Sequence, residues 1–300
     1  MAKYDAAGDK VQRRIPVAVW IMLLGVVVGV VGLIWCLNTD LKKYAKTENL
    51  YTDQDTDDIR DLELEFDCAT VNITPSNDDR IHLSIQNAPE GVYTYGVKDH
   101  TFYIKRKSIF SILRFSGVSK IPFLKDVYPE ATINVQLPTS LNFEKVEIDS
   151  SLSDVSINTI NCEKLEIDNG MGTLELINCR AEKTDIKNGM GKIEVFNCVL
   201  GKSKIKNGMG KIKMDSCSLK GTDIDNGMGD VTITTELKGD MDIDNGMGDI
   251  DLKIYGDGED YRITGDDDDV SVKGKTGSRS AEYKIHVDNG MGDVDIEFIN

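Results

Sequence analysis

Aliphatic positions in the second half of the chain recur every 19 residues. Two residues before a repeating Asn stand Ile148, Ile167, Ile186, Ile205, Ile224 and Ile243, and five residues after it stand Val155, Leu174, Ile193, Ile212, Val231 and Ile250. That Asn opens the tetrapeptide Asn-Gly-Met-Gly at Asn169, Asn188, Asn207, Asn226, Asn245 and Asn289. Ser150 and Gly265 take its place in two degenerate copies, which makes a set of eight. The step is 19 residues five times, then 20, then 24, and the longest step places an inserted loop around Lys273 to Glu282. So short a period is too small for a helical-hairpin repeat, and the alternation on either side of the motif is that of strands. The pattern predicts an all-β fold, a single-stranded parallel β-solenoid (β-helix) of about eight ~19-residue coils. Its two aliphatic ladders continue through Ile263 and Val287 and through Val270 and Val294, and form one core stripe.

Upstream, alternation over residues 62–73 and 80–85 and in TFYIKRK and TINVQLP predicts a non-repetitive β region at 59–145 that caps the coils of 146–300. Residues 17–37 are an uncharged apolar run of 21, long enough at ~1.5 Å per residue to cross a hydrocarbon core of about 30 Å. This predicts a transmembrane signal anchor between a cytoplasmic tail at 1–16 and a stalk at 38–58. Lys3, Lys10, Arg13 and Arg14 before the run and Lys42, Lys43 and Lys46 after it favour the cytoplasmic N-terminus slightly. Trp20 and Trp35 fall near its ends, where indoles prefer the headgroups.

The tetrapeptide reads as a corner. Gly permits positive-φ backbone, Asn tolerates the left-handed region or bonds its own backbone, and Met fills the inside of the bend. Asn side chains on successive rungs are also placed to hydrogen-bond along the stack. A phosphate cradle needs a helix N-terminus behind the glycines, and nothing helical follows any copy. Cys179, Cys198 and Cys217 sit nine residues before an Asn, equivalent to Ile160, and predict a buried thiol stack. Cys68 and Cys162 lie elsewhere, so no disulfide framework is implied.

Charge narrows the function classes. A net charge of -16 argues against a general nucleic-acid binder. Against that acidity, two outward columns switch sign together. Just before the Asn the series runs Asp149, Asp168, Lys187, Lys206, Asp225, Asp244, and four after it Asp154, Thr173, Lys192, Lys211, Asp230, Asp249. Lys187, Lys192, Lys206 and Lys211 thus form a basic band, which reads either as a docking stripe for an anionic polymer or partner or as relief of like-charge stacking. A second basic segment, with Lys105, Arg106, Lys107 and Arg114 among apolar residues, reads as a membrane-proximal surface or as a loop covering an end of the stack.

No catalytic, cofactor-binding or metal-ligating set is defined. Asp257, Glu259, Asp260 and residues 266–269 are a dense carboxylate cluster without a calcium-loop signature, and read as a solvated acidic loop. A polysaccharide-active β-helix enzyme would need acidic ligands beside a basic residue, for which Asp266, Asp268 and Lys253 are available, yet nothing in the sequence brings them together. His82, His100 and His286 are scattered.

The IDNGMGDV-type coils, the preceding INVQLP strand and the apolar N-terminal run together resemble a bacterial putative-adhesin family of unknown function, built on short Gly-Asp-Val/Ile repeats. The resemblance spans about residues 59–300, and Thr173, Lys192 and Lys211 depart from the usual Asp. It implies a non-catalytic, envelope-associated protein, and the apolar run at 17–37 fits this with a single-pass location in the bacterial plasma membrane and an extracytoplasmic C-terminal domain. The expected function is an adhesin-like binding module for cell-envelope polymer or surface partners. The alternative is a regulatory component of an envelope-stress response that docks another protein.

Overall fold

Where apolar and polar residues alternate, the chain forms strands. The computed structural model describes residues 45–51, 58–89, 92–106, 131–265 and 270–299. The N-terminal strands are β1 (Ala45–Tyr51), β2 (Asp61–Pro75), β3 (His82–Pro89), β4 (Tyr93–Lys98), β5 (Thr101–Arg106), β6 (Ala131–Leu137) and β7 (Phe143–Asn158). The repeats supply β8 (Asn161–Met171), β9 (Leu174–Ile177), β10 (Arg180–Met190), β11 (Ile193–Phe196), β12 (Val199–Met209), β13 (Ile212–Leu219), β14 (Thr222–Met228) and β15 (Val231–Leu237). They are followed by β16 (Met241–Asn245), β17 (Ile250–Tyr255), β18 (Tyr261–Thr264), β19 (Val270–Lys273), β20 (Tyr283–Asn289) and β21 (Val294–Ile299).

All of these strands belong to one 21-stranded sheet. Two parallel ladders run through it, β7–β8–β10–β12–β14–β16 and β7–β9–β11–β13–β15–β17, each pairing a residue with its 19-residue equivalent except past a bulge in β13, where Cys217 lies opposite Thr235. The aliphatic columns point into one shared core that extends from Ile59 to Ile296. Fully burying each such side chain contributes about 1.5–3 kcal/mol before entropy is subtracted.

The expectation of a simple single-stranded solenoid with eight consecutive coils is overturned at both ends. β16 pairs with β20, not β18, and β17 pairs with β21, not β19, so the last repeat inserts between two repeats that precede it in the chain. At the other end β2 sits against β7 on one side and against β5 and β6 on the other, again out of chain order. Antiparallel partners then extend the outer strands, β4 on β5 and β3 on β6, with β1 on β3. The reason is edge protection: a terminal parallel rung exposes a row of unpaired backbone groups, and folding a neighbouring segment over it removes that edge. The insertion before β20 gives the chain length to step back across a rung. Register is corrected too, because Ile263 lies opposite Ile285 while Val287 pairs with Ile243, two positions from the expected alignment on Gly265.

Among the described residues no helix is long and apolar enough to cross a membrane. On that finding the single-pass plasma-membrane localisation is set aside; the run at 17–37 that suggested it lies outside the described residues.

The tetrapeptide corner differs from expectation in a way that shapes the surface. Its Asn points inward, and the side chains form a continuous buried ladder: the Nδ2 of Asn169 donates to Oδ1 of Asn188 at 2.9 Å, Asn188 to Asn207 at 3.0 Å, and Asn207 to Asn226 at 3.0 Å. Asn226 then donates to Asn245 at 2.7 Å, and Asn245 to Asn289 at 2.9 Å, across the swapped rung. The ladder ends on backbone, where Asn289 donates to the carbonyls of Gly248 and Gly292 at 3.0 and 2.9 Å. With the amide filling the bend, Met is displaced outward, and Met171, Met190, Met209, Met228, Met247 and Met291 are all exposed. Left-handed backbone falls at another corner, on Thr159, Asn178, Asn197 and Ser216, immediately before Ile160 and the three stacked cysteines. Cys68, Cys162, Cys179, Cys198 and Cys217 are all buried. Desolvation pushes the Cys162 thiol up to about 12 and raises Cys217 as well, which keeps both protonated.

The two glycines of the motif have separate reasons. A Cβ on Gly208 would lie 2.5 Å from the Gly189 carbonyl oxygen, so the first glycine answers to close backbone approach between rungs. Gly210 has φ +131° and its Cβ would lie 1.9 Å from the Gly191 oxygen, so the second needs both conformation and space. Gly256 has φ +132° with nothing within 4 Å, and isolates conformation alone. Gly256→Ala is therefore expected to cost about 1–3 kcal/mol, and Gly210→Ala on the order of 3 kcal/mol more, measured by urea unfolding; equal costs would contradict the close-approach argument. Asn207→Ala leaves the Asn188 amide and the Asn226 carbonyl buried without partners, for an expected loss of about 2–4 kcal/mol in the same assay. A loss under about 1 kcal/mol would mean that the ladder contributes little.

Candidate functional site

The sign switch along the repeats creates a basic island on an acidic molecule. On β10 the side chains of Lys183, Asp185 and Lys187 point outward, and on the adjoining β12 so do Lys202, Lys204 and Lys206. The neighbouring strands return to acid, with Glu166 and Asp168 on β8 and Asp223 and Asp225 on β14. Between the lysines the inward column changes from Val146 and Leu165 to Thr184, Ser203 and Thr222. Beside this column lies a shallow depression of about 260 Å³, lined by Lys164, Lys183, Thr184, Asp185, Lys202, Ser203, Lys204 and Asp223. The hydroxyls of Thr184 and Thr222 are buried and make no hydrogen bond, as does one carboxylate oxygen of Asp185.

Ion pairing leaves most of this charge available. Lys206 bonds Asp225 and Lys211 bonds Asp230, each at 2.7 Å and each to the next rung. Lys145 contacts Glu147 and Glu166 at 2.7 and 2.8 Å, and Lys164 contacts Glu166 at 2.6 Å. Lys183, Lys187, Lys192, Lys202 and Lys204 pair with no described residue. Stacking relief thus accounts for two members of the expected band, Lys206 and Lys211, and leaves Lys187 and Lys192 without a role of that kind. Next to the island, desolvation and then the charges of Asp168 and Glu147 raise the Asp149 carboxyl, which marks the acidic border.

The sequence reading missed Lys183, Lys202 and Lys204. The signal was present in the column five residues before the Asn, which reads Lys145, Lys164, Lys183, Lys202. It was hidden because Glu147 and Glu166 two residues on neutralise the first two lysines, so the column looks balanced until the pairings are known.

The second candidate segment is not part of this surface. Lys105 bonds Glu63 at 2.6 Å, with Glu65 at 4.0 Å, and the Glu63 bond raises its pKa. Arg106 pairs with Asp67, so both cations are engaged by β2. Lys107 and Arg114 lie outside the described residues, as do residues 266–269 of the acidic cluster. Asp257 accepts the Glu259 amide at 2.9 Å and caps a short 3-10 turn at Gly258–Asp260. The histidines stay apart, His82 beside Asp78 at 2.8 Å, His100 beside Asp58 at 3.0 Å and His286 beside Asp288 at 3.3 Å. Among the described residues no group of three or more His, Cys, Asp or Glu is placed to hold a metal ion.

The paired lysines give the island a pH signature. Hydrogen bonds from Lys145 and then Lys164 hold the Glu166 carboxyl below its usual value. A depressed folded pKa contributes stability above the unfolded value and loses it as pH falls through the folded one. Glu166→Gln is therefore expected to remove a small part, about 0.5 kcal/mol, of the stability that the wild type loses as pH falls below the ordinary glutamate value of 4.5. Unfolding curves with the same acid dependence in both proteins would contradict that pairing.

A search of curated proteins gives no match. Among solved structures, the chain is similar to a "putative cell adhesion protein" from Clostridium sporogenes at 14% identity and TM-score 0.38, covering 85% of this chain and 98% of that one. It is similar as well to a "putative lipid binding protein" from Parabacteroides distasonis at 15% identity and TM-score 0.41, covering 85% and 97%. A "putative adhesin" from Bacteroides fragilis matches at 14% identity and TM-score 0.35, covering 86% and 98%. The profile of one family, Toastrack DUF4097, matches residues 59–297, nearly the whole of the described sheet. The chain belongs to the Toastrack DUF4097 family.

Proposed function

We propose that the protein is a non-catalytic binding module whose basic island holds an extended polyanion, of the kind that cell-envelope polymers present. One observation carries this reading: Lys183, Lys187, Lys202 and Lys204 lie on two adjoining strands with no described ion-pair partner, and Lys183, Lys202 and Lys204 border a shallow depression. Strands about 4.8 Å apart set equivalent lysines at a spacing that an anionic chain can follow. The acidic columns on either side repel the polymer and confine it to the island.

A chain held mainly by charge is released by salt. If about five lysines are neutralised, a slope of roughly -0.7 per charge gives about a hundredfold loss of affinity between 50 and 200 mM salt. The test is the binding of the full-length chain to fluorescently labelled polyphosphate, followed by anisotropy, with neutral dextran as control. Saturable, salt-sensitive binding to polyphosphate is expected, weakened tenfold or more by the pair Lys183→Glu and Lys202→Glu. Equal binding of dextran, or an unchanged affinity in the double variant, would overturn the reading.

A further inference from the structure

The outward methionines form an apolar strip along the corner, and its flanks carry a pattern that matches itself. Met171, Met190, Met209, Met228, Met247 and Met291 are each 36–62% exposed, one per rung. Apolar side chains in an unbroken exposed row mark a contact surface, and Met in particular adapts to a partner. On its two sides, Met190 is flanked by Lys187 and Lys192, Met209 by Lys206 and Lys211, Met228 by Asp225 and Asp230, and Met247 by Asp244 and Asp249. Two rungs of lysine are thus followed by two rungs of aspartate on the same strip.

We propose that this strip is an isologous interface for a second copy of the chain, docked antiparallel about a two-fold axis between the Met209 and Met228 rungs. A two-fold axis across the strip reverses the rung order and keeps each flank facing its own equivalent. Met190 then meets Met247 of the second copy, and Met209 meets Met228. On one flank Lys187 faces Asp244 and Lys206 faces Asp225 of the second copy; on the other, Lys192 faces Asp249 and Lys211 faces Asp230. The parallel arrangement puts lysine on lysine and aspartate on aspartate, so charge selects the orientation. The match ends beyond these four rungs, because Asp168 and Thr173 beside Met171 would face Asp288 and Asp293 beside Met291. The four rungs span roughly 14 Å from first to last, which puts the contact at the small end of specific interfaces and makes the association weak and concentration-dependent. The inference goes beyond the polyanion reading and does not need it. Lys187 belongs to both surfaces, so a bound polyanion and a second copy compete.

The test is sedimentation velocity of the full-length chain over a wide concentration range under one solvent condition. A reversible monomer–dimer equilibrium is expected. Changing Lys187, Lys192, Lys206 and Lys211 to Glu is expected to weaken it at least tenfold, as is the separate change of Asp225, Asp230, Asp244 and Asp249 to Lys. Mixing the two variants should restore association. Met209→Gln with Met228→Gln, which leaves every charge in place, is expected to weaken the dimer as well. Orientation is read by disulfide formation in a Cys36→Ser background: Met190→Cys is expected to cross-link with Met247→Cys when the two are mixed. A monomer at every concentration, an unchanged equilibrium in the charge variants, or preferential Met190→Cys homodimers would overturn the proposal.

Discussion

The structure depends on one constraint, that every repeat must present the same backbone to its neighbour at the spacing of paired strands. Three residues of the tetrapeptide enforce it. The Asn amide donates up the stack and accepts from below, so it is satisfied inside a dry core when the rung on either side carries Asn in register. The glycines allow the carbonyl of the preceding rung to approach to distances that no Cβ tolerates. A slip of one residue would bury lysine or aspartate and turn the aliphatic columns outward, which makes register steep in energy.

From that register the surface follows. Because equivalent residues stack, a substitution repeated in consecutive copies becomes a patch, and a change of sign between copies becomes a boundary. The lysines of β10 and β12 gather into an island for this reason, and the aspartates of the next rungs close it off. The methionines line up along the corner by the same rule, since the inward space that Met would fill is occupied by asparagine amides. A polyanion-binding face and a self-complementary strip are thus two readings of one columnar arrangement, and they share Lys187.

How much of this was legible in the sequence differs from element to element. The aliphatic columns and the stacking of Asn are periodic signals, and the structure places Ile186 against Ile205 and Asn188 against Asn207 as the spacing implies. The order of rungs at the ends was not legible, because the columns read the same whether β20 follows β18 or is inserted before it. That choice is made by edge pairing between distant segments, which leaves no periodic mark. The Met position was misread because Gly-Met-Gly constrains the backbone without saying which side of the bend is filled. The lysines of the depression were hidden for another reason, since Lys145 and Lys164 look neutralised in sequence and Lys183 and Lys202 share their column while lacking the partner glutamates.

The central claim, a buried and continuous amide ladder that fixes the register, is tested most directly by hydrogen exchange at the asparagine side chains, followed by NMR. The Nδ2 protons of Asn188, Asn207, Asn226 and Asn245 are expected to exchange as slowly as the protected backbone amides of β12 and β14. Exchange at the rate of exposed asparagine amides would contradict the ladder and, with it, the register on which the basic island and the methionine strip are built.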